Sequence, residues 1–275
     1  MKEIYYQTGS VTLYHGDCLE ILSNIQGDSI EMIFSDPPYN LSNGGITCHA
    51  GRMVSVNKGN WDKSNGIGVD HEFSLNWLSA CKRVLKDDGT IWISGTMHNI
   101  YSIGYALQQL GFKLLNEITW FKPNAAPNLS CRYFTHSHET IIWAAKSVAS
   151  RHKFNYGLMK QFGGGKQMRS FWADIKDTEK VTDIWSLTSP APNEKLLGKH
   201  PTQKPISLME RIILSSTNEN DLILDPFTGS STTGVAAIRH NRQFIGIDNE
   251  ESFLELSKRR INAEEKQQLS RLALE

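Results

Sequence analysis

The sequence predicts an α/β fold with a doubly wound, mostly parallel β-sheet. Short apolar runs recur along its 275 residues, each ends in a small or acidic residue, and amphipathic helical stretches separate several of them. Runs that are apolar throughout, rather than at alternate positions, mark strands covered on both faces. Alternation of such strands with helices implies a sheet layered by helices on each side.

Each element has its own signal. Val11 to Tyr14 is followed by Gly16-Asp17, and Ile30 to Phe34 by Ser35-Asp36. Phe73 to Leu85 places Phe73, Trp77, Ala80, Cys81 and Val84 on one helical stripe, and Lys86-Asp87-Asp88-Gly89 stops it. Ile91 to Ile93 leads into Ser94-Gly95, and a helix over Ile103 to Leu110 ends at Gly111. Trp120-Phe121-Lys122-Pro123 and Trp143 read as sheet core. Further on, helices over Ser207 to Ser216 and Thr232 to Arg239 accompany strands Leu222 to Leu224 and Phe244 to Ile247, which end in Asp225 and Asp248. A last helical pattern begins near Glu250, and its basic run Lys258-Arg259-Arg260 reads as a solvated helix end. Sheets of this kind bind ligands at the carboxyl ends of their strands, where these glycines and acids fall.

Two stretches break the rhythm. Residues 41–70, rich in Gly and Asn, read as a long mobile loop, and residues 147–198 are polar. The chain therefore divides into residues 1–146, an inserted region 147–198, and residues 199–275 as the second half of the same domain. Between Lys146 and Lys204 lie eleven basic and five acidic residues, a balance of about +6, interleaved with Tyr156, Phe162, Phe171, Trp172 and Trp185. That favours nucleic-acid contact over a solvated linker. The whole chain is neutral, with 29 Lys+Arg against 29 Asp+Glu, so any such contact is local. Its 4 cysteines are scattered without a Cys-x-x-Cys pair, which points to reduced thiols, and no apolar run has the length of a membrane span. A soluble cytoplasmic protein is expected.

The strongest chemical signal is Asp36-Pro37-Pro38-Tyr39, directly behind the strand Ile30 to Phe34. Two prolines have fixed φ and no N–H, so they hold a rigid corner at the strand's end. Beside a carboxylate and an aromatic ring, their carbonyls suit a planar amine: Asp36 and the Pro37 carbonyl can each accept one hydrogen of an –NH2 group, and Tyr39 can stack on its heterocycle. The second signal is Asp225-Pro226-Phe227-Thr228-Gly229-Ser230-Ser231-Thr232-Thr233, where a strand meets a small-residue loop that opens a helix, with Asp248 ending the next strand. That spacing fits a nucleoside site in which the acid binds ribose hydroxyls. Gly-x-Gly-x-x-Gly is absent, which disfavours a nicotinamide oxidoreductase. In His200-Pro201-Thr202-Gln203-Lys204-Pro205, Thr202 and Lys204 are placed to bind a carboxylate; in Gly16-Asp17-Cys18, Asp17 can accept from an exocyclic amine. His136 and His138 would share a strand face, but no third ligand is evident, and no metal is expected.

Together these residues resemble the amino-methylating DNA methyltransferases, over nearly the whole chain. Asp36-Pro37-Pro38-Tyr39 matches the catalytic motif and Asp225-Pro226-Phe227-Thr228-Gly229 the cofactor motif, and their order is similar to the permuted β class, with a target-recognition region between the halves. The stretches Val54 to Asp62 and Pro127 to Ser137 look like the Dpn-type adenine methyltransferases of restriction–modification systems. The resemblance implies the S-adenosylmethionine-dependent methyltransferase fold and transfer of a methyl group to adenine N6 within GATC, on a flipped base or a single strand. It assigns catalysis to Asp36, Pro37, Pro38 and Tyr39, and S-adenosylmethionine to Asp17, Cys18, Asp36, Thr202, Lys204, Asp225, Phe227, Gly229, Ser230, Ser231, Thr232 and Asp248. DNA and a cognate restriction endonuclease are the implied partners, homodimerisation is compatible, and no membrane is. A carboxylate of ordinary basicity is too weak to deprotonate an aromatic amine beforehand, so proton loss follows methyl transfer. The competing readings are a cytosine-N4 methyltransferase, against which Asp36 in place of the usual Ser argues, and a catalytically silent DNA-binding homologue. Ser231 departs from the family's Gly-Ser-Gly-Thr-Thr: at positive φ it would be strained by roughly 1 kcal/mol, and its hydroxyl would crowd the cofactor if it faced the pocket.

Overall fold

The structure, a computed structural model, describes residues 3–39, 42, 46–49, 52–55, 62–123, 125, 127–172 and 190–272. The chain opens with β1 (Glu3–Gln7), β2 (Val11–His15), α1 (Cys18–Asn24) and β3 (Ile30–Ser35), then the hairpin β4 (Ile46–His49) and β5 (Arg52–Ser55). It continues through α2 (Ile67–Val84), β6 (Leu85–Gly95), α3 (Ile100–Gln109), β7 (Lys113–Phe121) and β8 (His138–Ala145) to α4 (Tyr156–Phe162) and β9 (Phe171–Trp172). The last third holds α5 (Ile206–Ser216), β10 (Leu222–Asp225), α6 (Thr232–Arg239), β11 (Gln243–Asp248) and α7 (Glu251–Leu272). Among the described residues one sheet runs in the order β1-β2-β11-β10-β3-β6-β8-β7-β9. Its middle, from β2 to β6, is parallel; β1 and β8 run against it, and β7, antiparallel to β8, shares the direction of the middle.

Helices on both faces explain why the strands are apolar throughout. On β3, Met32 and Phe34 join the cluster under α5, α6 and α7, with Leu208, Ile212, Ala236 and Leu254, while Ile33 joins the cluster under α1, α2 and α3, with Leu22, Trp77 and Leu107. Trp120 and Trp143 are core, and Trp143 stacks on Trp92 with centroids 4.7 Å apart.

Four local expectations need correction. The stretch 41–70 is not all loop, because it contains the β4–β5 hairpin and the first turn of α2; most of its other residues lie outside the described ones, and with them the expected mobility. Lys86 to Gly89 stops the helix as expected but belongs to β6, which starts at once by pairing Leu85 with Ile30. In the inserted region, β9 pairs in parallel with β7 and extends the catalytic sheet. Finally, α7 runs twelve residues past Arg260, because polar Arg260 and Glu264 occupy buried positions and break the apolar stripe that would have revealed its length.

Strands β10 and β3 are parallel neighbours, and the chain leaves them in opposite directions, through α6 to β11 and through α2 to β6. This reversal opens a crevice at their carboxyl ends. The start of α6 is pressed close to the sheet there: a Cβ added at Gly234 would stand 2.6 Å from Phe244 Cε1. Gly234→Ala is predicted to lower stability by about 1–3 kcal/mol in chemical denaturation, through overpacking against Phe244. A loss below about 0.5 kcal/mol, the level of an inert surface change, would contradict this packing.

Candidate active site

A cavity of about 280 Å³ lies over the carboxyl ends of β2, β3, β10 and β11. Of the fifteen residues that the sequence assigns to catalysis or cofactor, all but Pro37, Tyr39 and Ser231 line it. Asp17 and Cys18 follow β2, Asp36 and Pro38 follow β3, and Asp225, Phe227, Gly229, Ser230 and Thr232 follow or end β10. Asp248 ends β11, and Thr202 and Lys204 enter from the turn before α5. Phe34, Phe73, His200 and Phe253 supply apolar wall; Phe73, read from the sequence as core stripe, is on the cavity side.

The loop after β10 is shaped by two left-handed residues, Gly229 (φ 51°) and Ser231 (φ 49°). Gly229 donates its N–H to Asp248 Oδ2 at 2.8 Å, and Glu250 N–H donates to Asp248 Oδ1 at 2.9 Å. From behind, Ser257 donates to the Gly229 carbonyl at 2.7 Å, and Arg260 Nη1 donates to Ser230 O (2.5 Å) and Thr232 Oγ1 (3.0 Å). Arg260 is thus a buried brace of this loop rather than a solvated helix end. Ser231 adopts a positive φ, and its side chain is buried against Thr228 Oγ1 at 2.8 Å, outside the cavity wall. The left-handed backbone costs about 1 kcal/mol for a non-glycine.

Asp17, Asp248 and Asp225 face the cavity, each held by donors of the protein. Asp17 caps α1, accepting from Leu19 N–H at 2.8 Å and Glu20 N–H at 3.2 Å. Burial lifts Asp248 to a pKa of about 6, despite the N–H groups that hold it. Burial lifts Asp225 to about 7, although Thr233 Oγ1 (2.7 Å) and Phe227 N–H (3.1 Å) donate to it. Burial and the neighbouring Asp17 push the Cys18 thiol up to about 12, so it lines the wall as a neutral group. Acids at one end, a bare Gly229 backbone and an apolar wall suit a nucleoside with a hydrocarbon-bearing tail.

Asp36 is the centre of a buried charged cluster. Its Oδ1 accepts from the Tyr39 hydroxyl at 2.5 Å, and its Oδ2 accepts from Lys204 Nζ. The Tyr39 hydroxyl also lies 3.1 Å from Ser94 Oγ, 3.2 Å from Glu139 Oε2 and 3.1 Å from Lys204 Nζ. Lys122 closes the cluster on Glu139 Oε1. Burial opposes the charges on Glu139 and Lys204, yet pairing wins: Lys204 and Lys122 hold Glu139 at a pKa of about 2, and Asp36 and Glu139 raise that of Lys204. Burial, then Asp36 and Glu139, push the Tyr39 phenol well above its ordinary value.

Two expectations change accordingly. Lys204 is engaged by protein carboxylates, not held free for a ligand's. Tyr39 is 5% exposed and tied to Asp36, so in this conformation its ring is packed inside rather than offered for stacking. The corner itself is firmly fixed. Tyr39 N–H donates to Asp62 Oδ1 at 2.8 Å, and Asn99 Nδ2 donates to the Pro38 carbonyl at 3.1 Å, which satisfies one of the two proline carbonyls expected to be open. Pro37 is buried behind the cavity wall. Glu139, Ser94, Lys122, Asn99, Asp62 and Arg260 escape a motif reading. Ser94, Lys122, Asp62 and Arg260 entered the sequence reading only as a strand end, sheet core, part of a family-like stretch and a helix end.

Residues 30–259 match the family model described as DNA methylase. The chain is similar to the Type II methyltransferase M2.DpnII of Streptococcus pneumoniae, with 53% identity over 96% of this chain and 94% of that protein. It is similar to the Type II methyltransferase M2.LlaDCHI of Lactococcus lactis subsp. cremoris, with 52% identity over 95% of this chain and 93% of the relative. Among solved structures, the M1.HpyAVI–SAM complex superposes with a TM-score of 0.62 at 29% identity, covering 92% of this chain and 99% of the other.

The buried Asp225 generates a test of this electrostatic picture. Its folded pKa of about 7 lies above the ordinary 3.8, so the folded chain binds this proton more tightly than the unfolded one. Its contribution to stability therefore grows as pH falls from about 7 to about 4 and is unfavourable above that window. Asp225→Asn, whose carbonyl can still accept from Phe227 N–H and whose amide can donate to the Thr233 hydroxyl, is expected to be more stable than the parent near pH 8 and to lose that advantage by about pH 4. Unfolding free energies whose difference does not change with pH would contradict the raised pKa.

Proposed function

The chain belongs to the DNA methylase family, and we propose that it is a site-specific DNA methyltransferase that moves the methyl group of S-adenosylmethionine to adenine N6. The observation that carries this reading is that Asp36, an acceptor for an amine, lines the same cavity as Gly229 and Asp248, the nucleoside-binding pair. Asp248, Asp17 and the Gly229 backbone would hold the adenosine part, with Phe227 and Phe253 as apolar wall. When bound, S-adenosylmethionine supplies a methyl group on positively charged sulfur, open to displacement by an amine.

Asp36 then accepts one hydrogen of the adenine amine and the Pro37 carbonyl, once a shift of the corner opens it to the cavity, the other. This makes the nitrogen more tetrahedral and stabilises the positive charge that develops on it. The proton released after transfer passes to Asp36 or, past it, to solvent. For Asp36 Oδ1 to take up this role, the Tyr39 hydroxyl must release it, which also frees the ring to stack on the incoming base. Lys204 stays on Oδ2 and keeps the carboxylate aimed. Adenine N6 is out of reach inside a duplex, so the base is extruded or the strand is single. The GATC target and a cognate restriction endonuclease are part of this proposal, supported by the resemblance to Dpn-type enzymes and by relatives named Type II methyltransferases. The basic, aromatic region 147–198 is the proposed target-recognition element, and its residues 173–189 lie outside the described ones.

With methyl-labelled cofactor and unmethylated GATC-containing DNA, followed by digestion to nucleosides, label is expected in N6-methyladenosine. Label in N4-methylcytidine would shift the reading to cytosine, and no label would end it. Asp36→Ala is expected to lower turnover at least about 100-fold while cofactor binding, followed by calorimetry, is retained; undiminished turnover would remove Asp36 from its role.

A further inference from the structure

We propose that the loop 127–137 is a DNA-contacting finger whose Phe134 ring stacks on a nucleobase beside the extruded adenine; this rests on the reading above that DNA is the substrate. The loop joins β7 to β8, and its neck is closed by Lys122 N–H donating to the Ser137 carbonyl at 2.7 Å. Lys122 and Glu139, which flank that neck, both belong to the Asp36 cluster, so the base of the finger is joined to that cluster.

The finger is braced from within. Asn128 Nδ2 donates to the Tyr133 carbonyl at 2.7 Å, and Asn128 Oδ1 accepts from Ser130 N–H at 3.1 Å and Ser130 Oγ at 2.7 Å. Cys131, at φ 53°, turns the chain, and the Tyr133 and His136 rings pack with centroids 5.5 Å apart. The result is an apex on which Phe134 is 95% and Tyr133 61% exposed. A single exposed apolar side chain means little. Here two adjacent aromatics sit on a braced turn beside exposed Arg132, at the edge of a site whose substrate offers stackable π-faces and a polyanionic backbone. From Ile118 to His138 the chain carries Lys122 and Arg132 and no acidic residue, which suits phosphate on either side of the contact. Extruding one base leaves neighbours unstacked, and an aromatic ring at the apex can replace the lost stack.

The test compares the full-length parent with Phe134→Ala and Phe134→Tyr on duplex DNA carrying 2-aminopurine at the target adenine. Phe134→Ala is expected to bind this DNA about tenfold more weakly and to give a smaller fluorescence rise on extrusion. Phe134→Tyr should keep both, and cofactor affinity and thermal unfolding should be unchanged in either variant because the ring is exposed. An Ala variant that binds and extrudes like the parent overturns the finger alone. So does a loss of binding that accompanies a change in solution mass, since the apex would then meet a second copy of the chain. A parent that methylates no DNA overturns both this proposal and the reading beneath it.

Discussion

The pairing of Asp36 with Lys204 is the interaction on which the site depends. It links the two halves of the chain, because Asp36 follows β3 while Lys204 precedes α5, 168 residues later. Charges this buried are tolerable only when paired and hydrogen-bonded. The cluster meets that condition with two lysines, two carboxylates, the Tyr39 hydroxyl and Ser94. Removing a lysine or a carboxylate would leave a charge less well compensated, so the charged members constrain one another. The carboxylate that must meet an amine is therefore held at a defined point on the cavity wall instead of on a flexible loop.

On the cofactor side, the same task falls to backbone and helix. The loop after β10 is pinned in front by Asp248 and behind by Ser257 and Arg260 of α7, and Gly234 lets α6 sit low on the sheet. Ser231 holds a left-handed conformation within this tight loop. The two functional strands are neighbours in space whichever comes first in the chain, since β3 and β10 pair in parallel across the switch point. Permuted motif order is thus compatible with an undisturbed site.

Much of this was legible in the sequence because strands covered on both faces are apolar at every position, as Met32, Ile33 and Phe34 show. Prolines, glycines and acids then punctuate the strand ends, so the corner at Asp36 and the loop at Gly229 stand out locally. What stayed hidden is long-range pairing. Glu139, Asp62 and Arg260 matter through partners 100, 23 and 28 to 30 residues away, and nothing in their own surroundings announces those partners. Buried polar residues also masked the length of α7. Lys204 was placed at the site, but its pairing with Asp36 and Glu139 was not foreseen, since motif spacing locates a side chain without naming what it meets.

The most direct measurement is a crystal structure of the protein with a non-reactive cofactor analogue and a DNA oligonucleotide carrying the target adenine. The account predicts adenine N6 within hydrogen-bonding distance, about 2.6–3.2 Å, of Asp36 Oδ1 and the Pro37 carbonyl, with the Tyr39 hydroxyl displaced and Lys204 still on Oδ2. An amine bound away from Asp36, or an Asp36 still holding Tyr39 while the base is in place, would contradict it.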